Sequence, residues 1–501
     1  GHDFTVTITA IGEDPQSGQC TALDYSGTKT IDATLFYNDP SSGSTPFILD
    51  GNNVTSSGTS IQLNFTNSTA TVSATYNDAG KIWFRLTDSA ENITGDSAVF
   101  VVKPWAYSVT ADGNPGAADA SGNVFCAAGD TFTLQIKAVC WNSADDTDND
   151  LVPDSGADLS DNTVTANYSA SVTVSHSLTA PSGGAAGNLT GIPGTISDGE
   201  LTAANTVYDE VGIITITVDT ADYLGAGDVS GTSGDIGRFT PKYIDIPTFV
   251  QNPACTAGAH PFTYAEEPFS IDTTLTAKAT GGTVTTNYTG DFAKLASGDL
   301  ALAVQSGSGS LSVGTISFTF NNGTALFTIP GNRYGWGSAH DPETVTLNIT
   351  GSDSDSVSVS TDTSGTAAVS SGVSYRYGRL QVLDSFSPST RDLTLTIAAQ
   401  YYSAGDYVAN TDDSCTTYTD SNITLQNWQG NLTAGDTGIS AFTTVTDGNG
   451  SVTLSAPGLS HEGMVDIILN APAWFTFDAG TATFGIYRGD DRFISWQEIQ
   501  K

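Results

Sequence analysis

The sequence predicts an all-β chain of tandem immunoglobulin-like β-sandwich modules forming an elongated rod. Three observations carry this. Apolar and polar residues alternate strictly in many short runs, which is the pattern of a strand with one face buried. Clusters of Gly, Asn, Asp and Ser separate these runs at short intervals, as turns between antiparallel strands require. The same sequence elements then recur along the chain, which implies copies of one architecture.

The alternating runs are Phe4-Thr-Val-Thr-Ile-Thr-Ala10, Phe132-Thr-Leu-Gln-Ile-Lys-Ala138, Ile271–Ala277 and Leu393–Ala399, spaced by roughly 120–140 residues. A middle motif follows three of them: Tyr25-Ser-Gly27, Asn167-Tyr-Ser169 and Asn287-Tyr-Thr-Gly290. A closing motif completes two: Tyr76-Asn-Asp-Ala-Gly80, continuing to Leu86, and Tyr208-Asp-Glu-Val-Gly212, continuing to Val218. Val101-Val-Lys-Pro104, Gly237-Arg-Phe-Thr-Pro241 and Tyr375-Arg-Tyr-Gly-Arg379 punctuate the repeats. They divide the chain into sandwiches over 1–103, 104–243 and 244–374 and a C-terminal β-domain over 375–501. A helix is considered only near Ser495–Lys501, where a strand fits about as well.

Composition excludes several function classes. Of 501 residues, 16 are basic and 54 acidic, a net charge of −38, which repels nucleic-acid phosphates and anionic lipid. Only 14% of residues are charged, yet 38% are hydrophobic, enough apolar surface to offset the entropy of ordering. No run reaches the ~18 apolar residues of a membrane span. Gly1-His2 is read as a processing or cloning scar, so the chain is expected to be a mature form or fragment. The histidines are scattered, and no nucleophile elbow, zinc-protease helix or phosphate loop occurs. The chain is expected not to be an enzyme.

Five cysteines lack zinc spacing. Cys126 and Cys140 flank one strand-like run, so a local disulfide is expected there. Cys255 with Cys415 is the long-range candidate, and Cys20 is left over. The candidate metal loop is Asp145-Asp-Thr-Asp-Asn-Asp-Leu-Val-Pro-Asp154. Asp146, Asp148 and Asp150 stand at alternate positions, with the Val152 carbonyl and Asp154 completing a Ca²⁺ ligand set. Leu151 stands where such loops normally carry Gly, and Ala157 where they carry the bidentate Glu. Gly351-Ser-Asp-Ser-Asp355, Asp412-Asp413 and Asp490-Asp491 read as turn residues, and Arg488-Gly489-Asp490 as a structural turn.

The last repeat carries Arg376-Tyr-Gly-Arg-Leu380, Ala399-Gln-Tyr-Tyr402, Asn410-Thr-Asp-Asp-Ser-Cys-Thr416, Ala473-Trp474 and Ala482-Thr-Phe-Gly-Ile-Tyr-Arg-Gly-Asp-Asp-Arg492. Upstream stand Asn114-Pro-Gly-Ala-Ala-Asp-Ala120, Phe125, Ala128-Gly129, Gly237-Arg-Phe239, Phe262-Thr-Tyr264 and Asn287-Tyr288. These segments resemble the MshQ-like family of the mannose-sensitive haemagglutinin (MSHA) type IV pilus system of Gram-negative bacteria. The resemblance implies an extracellular or pilus-associated place, with pilus or envelope proteins as partners and no known chemistry. The expected function is that of a structural or adhesive stalk or tip component of a bacterial surface appendage, with a surface glycan as a further partner. Two alternatives stand beside it. One is a self-assembling filament subunit joined by β-strand complementation, to which copies of the chain would be partners. The other is a non-catalytic accessory region of a carbohydrate-active enzyme.

Overall fold

The computed structural model describes residues 1–13, 16–22 and 24–485. The expectations for Arg488–Asp490, Asp490-Asp491 and Ser495–Lys501 lie outside them. The described residues are strands and turns, and their only helical pieces are three-residue 3-10 turns. The chain divides into two compact units, Gly1–Lys242 with Ala277–Ala293, and Tyr243–Thr276 with Lys294–Lys501.

The first unit holds two sandwiches. In the first, Phe4–Thr9, Thr69–Tyr76, Phe47–Leu49 and Asn52–Val54 form one sheet in that order. Ile93–Asp96, Gly80–Asp88, Gly27–Asp39 and Thr59–Phe65 form the other, and Phe100–Val102 also pairs with Gly80–Asp88. Alternation sets which face is covered: Ile61, Leu63 and Phe65 are buried while Gln62 and Asn64 face solvent. Leu35, Phe47, Leu49, Val54 and Ile82 fill the space between the sheets. Each such side chain contributes about 1.5–3 kcal/mol on burial.

The second sandwich repeats the plan. Ala106–Ala111, Thr131–Val139, Glu200–Tyr208 and Leu189–Thr190 face Cys126–Ala127, Ile236–Thr240, Gly212–Thr220 and Thr173–Ala180. Tyr76 and Tyr208 end corresponding strands and are both fully buried.

The second unit holds two more sandwiches. One sheet runs Ser310–Ser312, Thr324–Gly335, Phe269–Lys278, Tyr243–Asp245, Val359–Ser360, and its mate runs Phe262–Tyr264, Val373–Arg376, Glu343–Gly351, Leu300–Ser306. The last sandwich sets Ile439–Thr446, Asn449–Leu454, Leu393–Ser403, Gly378–Val382 and Thr476–Asp478 against Ser385–Ser387, Gly480–Phe484, Gly463–Leu469 and Ile423–Gly430. Leu393, Leu395, Ile397 and Ala399 point inward at every second position, as the alternation predicts. The fold class is thus tandem, all-β and immunoglobulin-like.

One disulfide joins Cys255 to Cys415, with Cα atoms 5.5 Å apart and 160 residues between them in sequence. The local bridge expected between Cys126 and Cys140 is corrected: both are free thiols, as is exposed Cys20. The reason is the nine-residue strand Thr131–Val139 between them. At ~3.3 Å per residue it holds its ends about 30 Å apart, far beyond the ~7 Å Cα limit for a bridge. Burial pushes the Cys126 thiol up to about 12, so it carries no thiolate chemistry at neutral pH.

Candidate metal centre

The acidic loop follows the strand Thr131–Val139 and is tied down at both ends. The Cys140 amide donates to the Thr163 carbonyl (2.8 Å), and the Asp154 amide donates to the Asp145 carbonyl (2.7 Å). Asp146 is its pivot and is 2% exposed. Its Oδ2 accepts the Trp141 indole N–H (2.6 Å) and the Leu151 amide (3.1 Å), and its Oδ1 accepts the Asp150 amide (3.0 Å). Burial pushes its pKa up, but the Trp141 bond and the backbone N–H groups outweigh it, so the carboxyl titrates below its ordinary value. Asp154 Oδ2 accepts the Thr147 amide (3.0 Å) and hydroxyl (2.6 Å).

Asp146, Asp148 and Asp154 each bring a carboxylate oxygen within 4.8 Å of the others. Two oxygens on one Ca²⁺, each 2.3–2.6 Å from the ion, stand up to about 5 Å apart, so this spacing fits one hard cation. The donors are all oxygen, which suits Ca²⁺ or Mg²⁺ and not Zn²⁺. The remaining sequence candidates behave differently. Asp150 lies outside this trio and turns Oδ1 onto the Val152 amide (2.8 Å). Val152 itself is 59% exposed. Leu151, in the usual glycine position, still makes the sharp turn with φ +67°. A left-handed leucine costs about 1–2 kcal/mol, and its carbonyl is fixed by the Trp105 indole N–H (2.8 Å).

Sequence reasoning missed Asp145. It is 8% exposed, and its Oδ2 has no hydrogen-bond partner among the described residues. Five adjacent acids gave no signal as to which one would be buried. Asp353, in the Gly351–Asp355 segment read as a turn, caps that turn through the amides of Asp355 and Val357 (2.9 Å each).

In the second unit, residues of the family-like motifs converge around the disulfide. The Arg376 guanidinium lies over the rings of Phe262 (4.4 Å) and Tyr401 (4.9 Å). It donates to Asn410 Oδ1 and to Asp412 Oδ2 (2.8 Å). His260 Nδ1 meets the other Asp412 oxygen (3.0 Å). Tyr264 donates to Asp413 (2.9 Å). Beside them, burial pushes Glu267 up to about 7, against the Tyr264 amide bond that lowers it. These groups are committed to one another, and the cluster is a lock between the Cys255 segment and the Cys415 loop.

Fold and loop together define a class: a tandem immunoglobulin-like chain with, among the described residues, one loop that gathers three carboxylates. The chain belongs to the DUF6701 multi-domain family. The family's first Ig-like domain, described as a domain of unknown function, matches residues 1–100. Its second domain matches 103–207, its third 210–422 and its fourth 376–499. No curated protein matches the chain. Among solved structures, it is similar to an I-band fragment of titin at 11% identity, covering 75% of this chain and 98% of that one, with a TM-score of 0.21. A Glu-to-Ala variant of a three-domain titin fragment gives 10%, 76%, 99% and 0.21. The surface layer protein SbsC, domains 1–6, gives 11%, 90%, 68% and 0.15. At such TM-scores none of the three carries an argument here.

Proposed function

We propose that the chain is an extracellular, non-catalytic structural or adhesive element of a bacterial surface appendage, and that Asp146, Asp148 and Asp154 hold Ca²⁺ in it. The observation that carries the first part is the disulfide. A bond closing 160 residues, buried at Cys255, belongs to an oxidising compartment. Tandem sandwiches supply length from one repeated unit, and the acidic surface suits exposure to salty water. Placement at a type IV pilus rests on the resemblance of segments such as Arg376–Leu380. Surface labelling tests the reading. Antibody should reach the chain on intact cells, with Cys255–Cys415 oxidised, and recovery only from the cytoplasm with both thiols reduced would contradict it.

A second reading, a filament subunit, is favoured by one observation. The strand Phe4–Thr9 pairs with Thr69–Tyr76 on one side only and ends its sheet. A seam of about 510 Å³, lined by Val6, Ile8, Phe84, Leu86 and Ile93, opens beside it. Edge strands over apolar seams accept further strands. A strictly monomeric chain at high concentration would exclude this reading.

A further inference from the structure

The middle and closing motifs of the repeats meet each other in the first unit twice, each time with one oxygen of an acid accepting both its own next amide and the amide of the asparagine. In the first instance the acid is Asp78, two residues after Tyr76 and 1% exposed. Its Oδ1 accepts the amides of Ala79 (2.8 Å) and Asn167 (2.8 Å), and its Oδ2 accepts the Thr45 hydroxyl (2.6 Å). Asn167 in turn donates Nδ2 to the Tyr76 hydroxyl (3.0 Å).

In the second instance the acid is Glu210, two residues after Tyr208 and 6% exposed. Its Oε1 accepts the amides of Val211 (2.8 Å) and Asn287 (3.1 Å). Its Oε2 accepts the Thr286 amide and hydroxyl (2.9 Å each). Asn287 in turn donates Nδ2 to the Val211 carbonyl (2.9 Å). Each asparagine is also packed against a glycine of the acid-bearing repeat. A Cβ on Gly43 would stand 2.6 Å from Asn167 Nδ2, and one on Gly184 would stand 2.5 Å from Asn287 Oδ1.

We infer that these are two copies of one directional joint, in which the acid of Tyr-x-Asp/Glu-x-Gly is a pin and the Asn-Tyr segment of the following repeat is its socket. The surface therefore fits one kind of partner, another module of this type presented by its Asn-Tyr end. A carboxylate suits the pin because it only accepts, and its lone pairs take up three or four donors at once. An amide in its place turns N–H against N–H. The first repeat carries a different residue at the socket position. Its Tyr25 carbonyl accepts the Ser68 amide (2.9 Å) as the Tyr168 carbonyl accepts the Gly199 amide (2.8 Å), so the two tyrosines correspond. The residue before Tyr25 is Asp24 where the second repeat has Asn167, and a carboxylate at that position would repel the carboxylate pin.

The test is hydrogen exchange on the full chain carrying Glu210→Gln, with Asn167→Asp as the second variant and Glu200→Gln as control. The joint predicts that Glu210→Gln lowers protection at Thr286 and Asn287 by about tenfold or more, while Ile214 and Ile216 keep theirs. Asn167→Asp recreates the Asp24 arrangement, so protection at Asn167 falls likewise and protease cuts Val101–Ala106 faster. Glu200→Gln changes neither. Unchanged protection at all of these amides would overturn the inference. So would equal loss at Ile214 and Ile216, because the acids would then serve their own sandwich and not the joint. If Glu210→Gln does not fold, Asn167→Asp decides alone by the same two criteria.

Discussion

Glu267 shows how one side chain makes stability depend on pH. Its folded pKa lies near 7 against an ordinary 4.5, so the folded state binds the proton more tightly than the unfolded chain. The sign follows: the contribution is fully present below about 4.5 and is lost as pH rises through about 7. Glu267→Gln should remove a loss of about 2–3 kcal/mol across that window. Comparing the melting temperature of the variant with that of the parent chain at pH 4.5 and 7.5 measures it. Equal pH slopes would place Glu267 in solvent. Leu151 is the second residue-scale case, since φ +67° is strained for leucine and open to glycine. Leu151→Gly should gain up to about 1 kcal/mol, read by urea unfolding, because the relieved strain exceeds the entropy that glycine adds to the unfolded chain. A loss of stability would mean that the half-exposed leucine side chain matters more than its backbone.

At the scale of elements, the alternating runs were legible because period two leaves no choice of face. Phe132–Ala138 lies within the strand Thr131–Val139, and Leu393–Ala399 within Leu393–Ser403. Pairing was not legible, since it depends on contacts distant in sequence. The cysteines show both sides of this. Closeness in sequence suggested Cys126 with Cys140, but an extended strand keeps near neighbours apart. Cys255 and Cys415 meet because the fold brings remote segments together. The acidic loop was legible as a group and not in detail. Alternate aspartates mark a converging turn, but which oxygens are taken by the Trp141 indole, the Val152 amide or the Thr147 hydroxyl depends on how the loop closes on itself and on the ring beside it. The Tyr-x-acid-x-Gly motif was visible as a strand closure, and only its partner in the next repeat gives the acid a role. Cys255→Ser with Cys415→Ser should cost the second unit about 4–5 kcal/mol, as expected for so long a loop, with guanidinium unfolding as the readout. A cost under about 1 kcal/mol would show that the Arg376 cluster holds these segments without the bond.

At the scale of the whole molecule, four sandwiches of one kind, a long-range disulfide and an acidic surface are the features on which the proposed structural role rests. The proposed cation is the part of that account most open to direct measurement. Calorimetry of the full chain in calcium and in chelator, with Asp148→Asn alongside, compares the two states. Calcium at a hundred times its Kd contributes about 2.7 kcal/mol to whatever binds it folded. The account predicts a transition that moves to higher temperature with calcium in the parent chain and stays fixed in Asp148→Asn. Superimposable thermograms of the parent chain with and without calcium would contradict it.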